Sequence, residues 1–247
     1  MKAELYALTH RGNPGDTAFY REACRGARSV LELGSGSGRM LLALADARRR
    51  LTGLELDPEL LALAKRNLRA LAPAKKKALR LVAGDIRDFE FSEHFERVLL
   101  PYNALYCLLS RRAALACFRA ARRALAPGGT FVLDVWNAGP FQSRSAKYYV
   151  DETEPVVTLD HAGRTWDVFE RSSVRRARQR LNVTYTYLPR EGGPTYQIPI
   201  AQRYYSSAEV TELLDSAGFF VEARYGDFSR ARFSSRSQQL IVSARAR

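Results

Sequence analysis

Three glycines, Gly34, Gly36 and Gly38, follow the apolar run Val30-Leu31-Glu32-Leu33, and an acid, Glu55, ends the next apolar run. Glycine tolerates positive φ and leaves no side chain between backbone and ligand, so a small molecule can lie directly on such a turn. A carboxylate about twenty residues after the first glycine is placed to accept hydrogen bonds from ribose hydroxyls. A lone glycine loop says little. One that follows a strand, precedes a helix and is answered by that acid points to a nucleoside-containing ligand.

Such residues need a scaffold that holds several loop ends side by side. The pattern reads as strand 30–34, helix 38–47, strand 51–55, helix 58–71, strand 79–83, a polar turn at 84–88, strand 96–101, helix 110–126 and strand 130–136. Pro58 suits a first helical turn, where its missing N–H costs nothing. Leu60, Leu61, Leu63, Ala64, Leu68 and Leu71 recur at three- and four-residue intervals and mark one apolar face. Short apolar runs alternating with helices predict a mostly parallel sheet with helices on both faces, a doubly wound α/β fold. Ligands of such sheets lie at the carboxyl ends of the strands. That singles out Gly34 to Gly38, Glu55, Asp85 and Ile86, Leu100 to Asn103, and Asp134 to Asn137.

Ahead of the first strand, Thr9 to Asp16 is a polar lead whose Gly and Pro forbid a regular element. A short helix is expected from Thr17 to about Arg25, with Asp16 as its N-cap. This segment is placed to fold across the glycine turn and bring Tyr6, His10, Tyr20 or Arg21 to the ligand, although Phe19 and Tyr20 also suit plain packing. Residues 138–203 break the α/β rhythm with runs rich in β-branched and aromatic residues, read as antiparallel strands at 156–159, 165–174, 181–188 and 197–204. They form an inserted antiparallel β-sheet cap over a domain made of 1–137 and 204–247. A period of two puts Tyr185 and Tyr187 on one face of that cap. The chain then resumes with a capping-box pattern, Ser206 as N-cap and Glu209 reaching back, a helix ending at Gly218, and a final strand pair, 219–225 and 238–244.

At 247 residues with 46% hydrophobic content the chain is long enough to bury a sizeable core. No apolar run approaches a membrane span and no signal-peptide core opens the chain, so a cytoplasmic location is the default. Cys24, Cys107 and Cys117 are odd in number and widely spaced, which suggests buried structural thiols rather than disulfides or zinc. His10, His94 and His161 are scattered, and no metal is expected. The formal charge of +13 would suit an anionic partner. The excess is nearly all Arg, with Lys confined to 2, 65, 75, 76, 77 and 147, a pattern that compositional bias explains without nucleic acid.

Taken together, Glu32-Leu33-Gly34-Ser35-Gly36-Ser37-Gly38, Gly53-Leu54-Glu55-Leu56-Asp57-Pro58, Gly84-Asp85-Ile86-Arg87-Asp88, Leu125-Ala126-Pro127-Gly128-Gly129 and Leu213 to Phe219 resemble class I S-adenosylmethionine-dependent methyltransferases. The resemblance covers roughly residues 20 to 137 and 204 to 245. It implies a Rossmann-like sheet of seven strands with the last antiparallel, and S-adenosylmethionine as cofactor. Gly34, Gly36 and Gly38 would pass under its methionine and ribose, Glu55 would hold the ribose hydroxyls and Leu56 would lie against adenine. Asp85 would accept from the adenine amino group and Ile86 would cover the ring. Leu100, Pro101 and Tyr102 would line the methyl-donor side. The insert is similar to that of glycine and amino-sugar N-methyltransferases, which implies a small-molecule substrate.

Methyl transfer asks mainly for alignment, and orientation can supply on the order of 7 to 11 kcal/mol. A neutral amine needs no strong base, whereas a phenol or alcohol wants one. His10 is the first candidate base; Tyr102 and Asn103 are candidates for positioning an N or O acceptor. An RNA or DNA methyltransferase is the second reading, testable by salt-dependent binding, although Tyr102-Asn103 is unlike the Asn-Pro-Pro-Tyr motif of such enzymes. A nicotinamide-binding oxidoreductase shares the glycine loop and acid, but the missing sixth-position glycine and Gly84-Asp85 argue against it. A non-catalytic cofactor binder and a homodimer also stay open.

Overall fold

A computed structural model describes residues 1–142 and 153–247; the first part of the expected insert, 143–152, lies outside them. The chain opens with α1 (Lys2–Thr9) and α2 (Asp16–Ala23), followed by β1 (Ser29–Leu33), α3 (Arg39–Leu44), β2 (Arg50–Glu55), α4 (Pro58–Leu68), α5 (Pro73–Lys77), β3 (Leu79–Ala83) and β4 (Phe95–Leu100). After a 3-10 turn at Ala104–Cys107 come α6 (Arg111–Ala124), β5 (Leu125–Trp136) and α7 (Gly139–Gln142). The later strands are β6 (Val157–His161), β7 (Arg164–Arg175), β8 (Arg180–Pro189) and β9 (Tyr196–Arg203). The chain closes with α8 (Ser207–Ser216), β10 (Phe219–Tyr225) and β11 (Gln239–Ala246).

Two sheets result. The larger has seven strands in the order β10-β11-β5-β4-β1-β2-β3. Strands β1 to β5 pair in parallel, and β11 is antiparallel to both its neighbours. The expected doubly wound α/β sheet is therefore present, antiparallel last strand included. β1 is buried along its whole length, as a strand covered on both faces must be. Leu31 and Leu33 of β1 meet Cys117, Phe118 and Ala121 of α6 on one face. Val30 meets Tyr20 of α2 and Met40, Leu41 and Leu44 of α3 on the other. α6 turns an alanine-rich stripe inward and its arginines outward.

The smaller sheet, β6-β7-β8-β9, is antiparallel throughout. Trp166 and Val168 of β7 and Tyr187 of β8 are buried on its inner side against Leu5 of α1. Tyr187 and Tyr185 share that face, as the period of two has it, with Tyr185 partly buried against the cluster.

Several local expectations are corrected. Residues 2–9 form a helix that the sequence reading left unassigned. Asp16 does not cap α2. Gly15 stands at the N-cap with φ +84 and no side-chain cap bond, because the Asp16 carboxylate accepts from Asn13 N and from Arg39 instead. Ser206 does cap α8, its Oγ accepting from Glu209 N at 3.1 Å. Glu209 does not reach back, since Arg111, Arg203 and Gln179 claim its carboxylate. α3 and α4 stop at Leu44 and Leu68, short of the expected 47 and 71. α6 stops at Ala124, short of the expected 126, and Pro127-Gly128-Gly129 lies within β5, which begins at Leu125 rather than at 130. Cys24 and Cys117 are buried, but Cys107 is exposed.

Candidate functional site

The turn after β1 is fixed by backbone bonds to its neighbour. Gly34 N and Ser35 N both donate to Leu54 O, at 2.8 and 3.0 Å. Glu55 then bridges the ends of β1 and β2: Oε2 accepts from Gly36 N at 2.7 Å and Oε1 from Asp57 N at 2.9 Å. Gly34 and Gly36 sit at φ +69 and +54, and no atom lies within 4 Å of where a Cβ on Gly36 would be. The turn therefore presents bare backbone to open space.

That space is a cavity of about 840 Å³ at the carboxyl ends of the parallel strands. Of the residues expected at a site, Gly34, Gly36, Glu55 and Leu56 line it, as do Asp85 and Ile86 after β3, Tyr102 after β4, and His10. Leu56 is 64% exposed, an apolar surface left uncovered there. The Asp85 carboxylate is bound by the Arg87 guanidinium and backbone N–H, which holds it below the usual carboxylate range.

Gly38, Leu100 and Asn103 are not among the lining residues. Gly38 starts α3 at φ +81 and packs close to Ala64. Leu100 is buried in the core. Asn103 turns its amide oxygen to Trp136 N at 2.6 Å, while its own N–H donates to Asp134 O. Tyr102 and Asn103 both have positive φ, +55 and +61, a costly backbone held from outside. The holder is Asp134 of β5, whose Oδ1 accepts from Tyr102 N at 3.0 Å and Tyr20 hydroxyl at 2.5 Å. Burial pushes Asp134 up to about 6. Tyr20 thus sits beneath the loop, and Arg21 binds Ala43 O.

α1 brings Tyr6 and His10 to the cavity. His10 Nδ1 lies 2.9 Å from Tyr6 O. A carbonyl can only accept, so Nδ1 carries the proton and Nε2 is left with its lone pair. Burial lowers the pKa of His10, against the opposing Tyr6 hydrogen bond and the charge of Glu170. The ring stacks on Tyr6 at 4.0 Å and meets Tyr185 edge-on at 5.0 Å.

Sequence reasoning missed several wall residues. Arg39 lines the cavity, its guanidinium 5.5 Å from the Tyr102 ring centre. Its partner Asp16 lies far back in the chain, so no spacing marks the pair. Glu32 and Ser35 are lining residues, whose Oε2 and Oγ are buried with no hydrogen-bond partner among the described residues, and burial pushes Glu32 up to about 8. Cys107 is a further wall residue. Among the described residues no group of three or more His, Cys, Asp or Glu could hold a metal ion, and no helix is long and apolar enough to cross a membrane.

A family model described as "Methyltransferase domain" matches residues 30–129, the stretch that carries β1 to β4 and their loops. The cypemycin N-terminal methyltransferase of a Streptomyces species is 27% identical over 222 residues, spanning 87% of this chain and 82% of that protein. A dTDP-3-amino-3,6-dideoxy-alpha-D-glucopyranose N,N-dimethyltransferase of Streptomyces fradiae is 29% identical over 142 residues, spanning 54% of this chain and 52% of that one. Among solved structures, the CcbJ methyltransferase from Streptomyces caelestis superposes with a TM-score of 0.79 at 28% identity, covering 95% of this chain and 90% of that one.

Proposed function

We propose that this chain, a class I S-adenosylmethionine-dependent methyltransferase, methylates a nitrogen of a small molecule. The observation that carries the nitrogen acceptor is His10, a cavity-lining imidazole whose Nδ1 proton is tied to Tyr6 O. Its free Nε2 is a base of the modest strength an amine requires. The N-terminal and amino-sugar N-methyltransferases similar to this chain support the same acceptor.

The cavity fits the cofactor. Open space lies above Gly36, Leu56 offers uncovered apolar surface, and Glu32 Oε2 and Ser35 Oγ lack partners that a polar tail could provide. In this reading Gly34 and Gly36 carry the methionine and ribose portions and Glu55 accepts from the ribose hydroxyls. Leu56 and Ile86 flank adenine, and Asp85 accepts from its amino group while shared with Arg87. Gly38 and Leu100 shape the site from behind by starting α3 and packing under the β4 loop. Tyr102 faces the acceptor, and Asn103 acts as the post that fixes the Tyr102 backbone.

Bound S-adenosylmethionine supplies an electrophilic methyl whose sulfonium charge disappears on transfer. The protein therefore needs no oxyanion hole. Its share is alignment, which the rigid turn at Gly34 to Gly36 and the pinned Tyr102 loop provide, together with removal of a proton from the acceptor nitrogen by His10. Residues 1–137 and 204–247 act as the cofactor-binding domain and 138–203 as the substrate cap. A cytosolic setting belongs to the same proposal, and the basic charge needs no nucleic-acid partner.

Calorimetry with S-adenosylhomocysteine tests the cofactor side. Hydrogen bonds to a charged group contribute roughly 1.5–3 kcal/mol, so Glu55→Ala is expected to weaken binding about 10- to 100-fold. Equal affinity would sink the ribose assignment. Incubating methyl-labelled S-adenosylmethionine with a metabolite extract then identifies the acceptor, and label found only on oxygen would overturn the nitrogen reading.

A further inference from the structure

One end of the smaller sheet carries a row of arginines. The register sets Arg175 of β7, Arg180 of β8 and Arg203 of β9 directly opposite one another on a single rung. Like charges so placed repel one another. The three grade inward, Arg175 exposed, Arg180 half-buried and Arg203 buried. Arg203 donates to Gln179 Oε1 and Glu209 Oε1, and its Nη1 is buried with no partner among the described residues. Glu209 also accepts from Arg111 and Gln179, so one carboxylate already serves three donors. Among the described residues the side chains of Arg175 and Arg180 form no hydrogen bond or ion pair. This end of the sheet therefore holds more positive charge than its own acids balance.

Arg180 brings that charge to the cavity. It is a lining residue together with Leu108, Ser110 and Ala113, from the start of α6 and the turn before it. The other two arginines of the wall are already paired, Arg39 with Asp16 and Arg87 with Asp85. Tyr205 ties this end together: its hydroxyl donates to the Leu108 and Ser110 carbonyls, and its ring lies 4.2 Å from the Arg203 guanidinium. A half-buried guanidinium with no acid beside it is a ready partner for an oxyanion, which it can grip through two parallel N–H bonds. On the same strand Tyr185 meets His10 edge-on at 5.0 Å. At about 3.4 Å per residue, β8 runs about 17 Å from Tyr185 to Arg180. The arginine thus lines the same cavity as His10 but far from the reacting end.

We propose that Arg180 holds an oxyanion, a carboxylate or a phosphate, at the far end of an acceptor whose reacting atom meets His10. The inference rests on the methyltransferase reading above and names the acceptor's class: an elongated small molecule with its nucleophile at one end and an anionic group on the order of 15 Å away. Arg180 takes no part in methyl transfer. It selects the acceptor by charge and fixes which end faces the methyl donor. Arg175 and Arg203, on either side of it, add to the positive field that draws the anion in.

The test is calorimetric titration with phenyl phosphate, with benzoate and, as the uncharged counterpart, with benzyl alcohol, in the presence and absence of saturating S-adenosylhomocysteine. At least one anion is expected to bind about tenfold or more tightly than the alcohol, the scale of one charge-assisted hydrogen bond. The tighter of the two anions says whether the acceptor carries phosphate or carboxylate. Arg180→Gln is expected to erase the preference while leaving S-adenosylhomocysteine affinity within about twofold of wild type. Arg119→Gln, which removes the same charge from an exposed position on α6, is expected to keep it. Should Arg180→Gln fail to fold, Arg180→Lys decides: it keeps the charge but loses the fork, so anion affinity is expected to fall severalfold, and unchanged affinity overturns the inference. Equal binding of anion and alcohol by the wild type, a preference that survives Arg180→Gln, or one that Arg119→Gln also removes overturns it as well. So does anion binding seen only without S-adenosylhomocysteine, since Arg180 would then hold the carboxylate of that ligand. An anion preference that depends on Arg180 in a protein that cannot bind S-adenosylhomocysteine strikes the cofactor assignment instead.

Discussion

Asp16 and Arg39 form a two-pronged ion pair, with the guanidinium nitrogens 3.0 and 2.7 Å from the two carboxylate oxygens. Asp16 is almost wholly buried and Arg39 is the first residue of α3, next to the glycine turn. A Cβ on Gly12, which sits at φ +93, would fall 2.3 Å from Arg39 Nη1, so the lead wraps the guanidinium in a way only glycine permits. The pair ties the lead to the wall of the cavity. Two fully paired charges hold geometry where a single buried one would be expelled.

Gly36→Ala separates folding from ligand binding. At φ +54 with no neighbour within 4 Å, alanine meets no protein atom and bears only backbone strain, about 1 kcal/mol. Its methyl projects into the space assigned to the cofactor. Urea denaturation is expected to show that small loss, and S-adenosylhomocysteine affinity to fall by more, about tenfold or beyond. Unchanged affinity would place the cofactor elsewhere.

The state of His10 sets an acid limb. Its pKa is lowered chiefly by burial, so the base is neutral at pH 7 and is lost only as pH falls through a value below the ordinary one, about 6.5. With the acceptor in hand, kcat/KM is expected to drop on that side. His10→Asn is expected to flatten the limb and slow transfer about 100-fold or more. A limb that persists in the variant would move the base to another residue.

Glu32 makes stability fall with rising pH. Burial pushes it up to about 8, against the pull of Arg39, while an unfolded glutamate titrates at about 4.3. Protonation thus favours the folded state: the contribution is fully present below the unfolded value and is lost as pH rises through 8. Glu32→Gln keeps a neutral group of the same shape. Denaturant midpoints of the cofactor-free proteins at pH 5, 7 and 9 are expected to diverge in the variant's favour, and parallel curves would argue for an ionised Glu32.

Thiol labelling reads the cavity directly. Cys24 and Cys117 are buried and Cys107 is exposed on the cavity wall. Desolvation raises its pKa, so it is expected to react more slowly than a free thiol, because the thiolate is the nucleophile. One equivalent of a chromogenic disulfide should react in the native state, and saturating S-adenosylhomocysteine should slow it. A labelling rate indifferent to the ligand would put Cys107 outside the occupied volume.

Much of the fold was legible because local signals agree with the global sheet. Leu31 and Leu33 read as a strand from their run, and Gly34 as its end. Tyr185 and Tyr187 read as sharing one face of the cap by alternation alone. The misses share a cause, which is competition from distant partners. Asp16 would cap α2 by its local spacing, yet Arg39 offers the stronger interaction. Glu209 would close its own capping box, but Arg203 and Arg111 are nearer in space than in sequence. Residues 2–9 carry too short an apolar face to announce a helix, because what stabilises it is Trp166 and Tyr187. Gly38 and Asn103 sit beside the site in sequence but point away from it, a matter of turn geometry that residue type does not reveal.

The contact between Leu5 and the face that holds Trp166, Val168 and Tyr187 also bears on how the chain emerges from the ribosome. α1 must wait for partners about 160 to 180 residues later, roughly 8 to 36 s of synthesis at the usual 5–20 residues per second. The nascent chain therefore completes the parallel strands β1 to β5 while its opening segment is still unshielded. Deleting the first ten residues should thus leave a folded sheet that binds nucleoside, and should cost the enclosed chamber rather than the architecture.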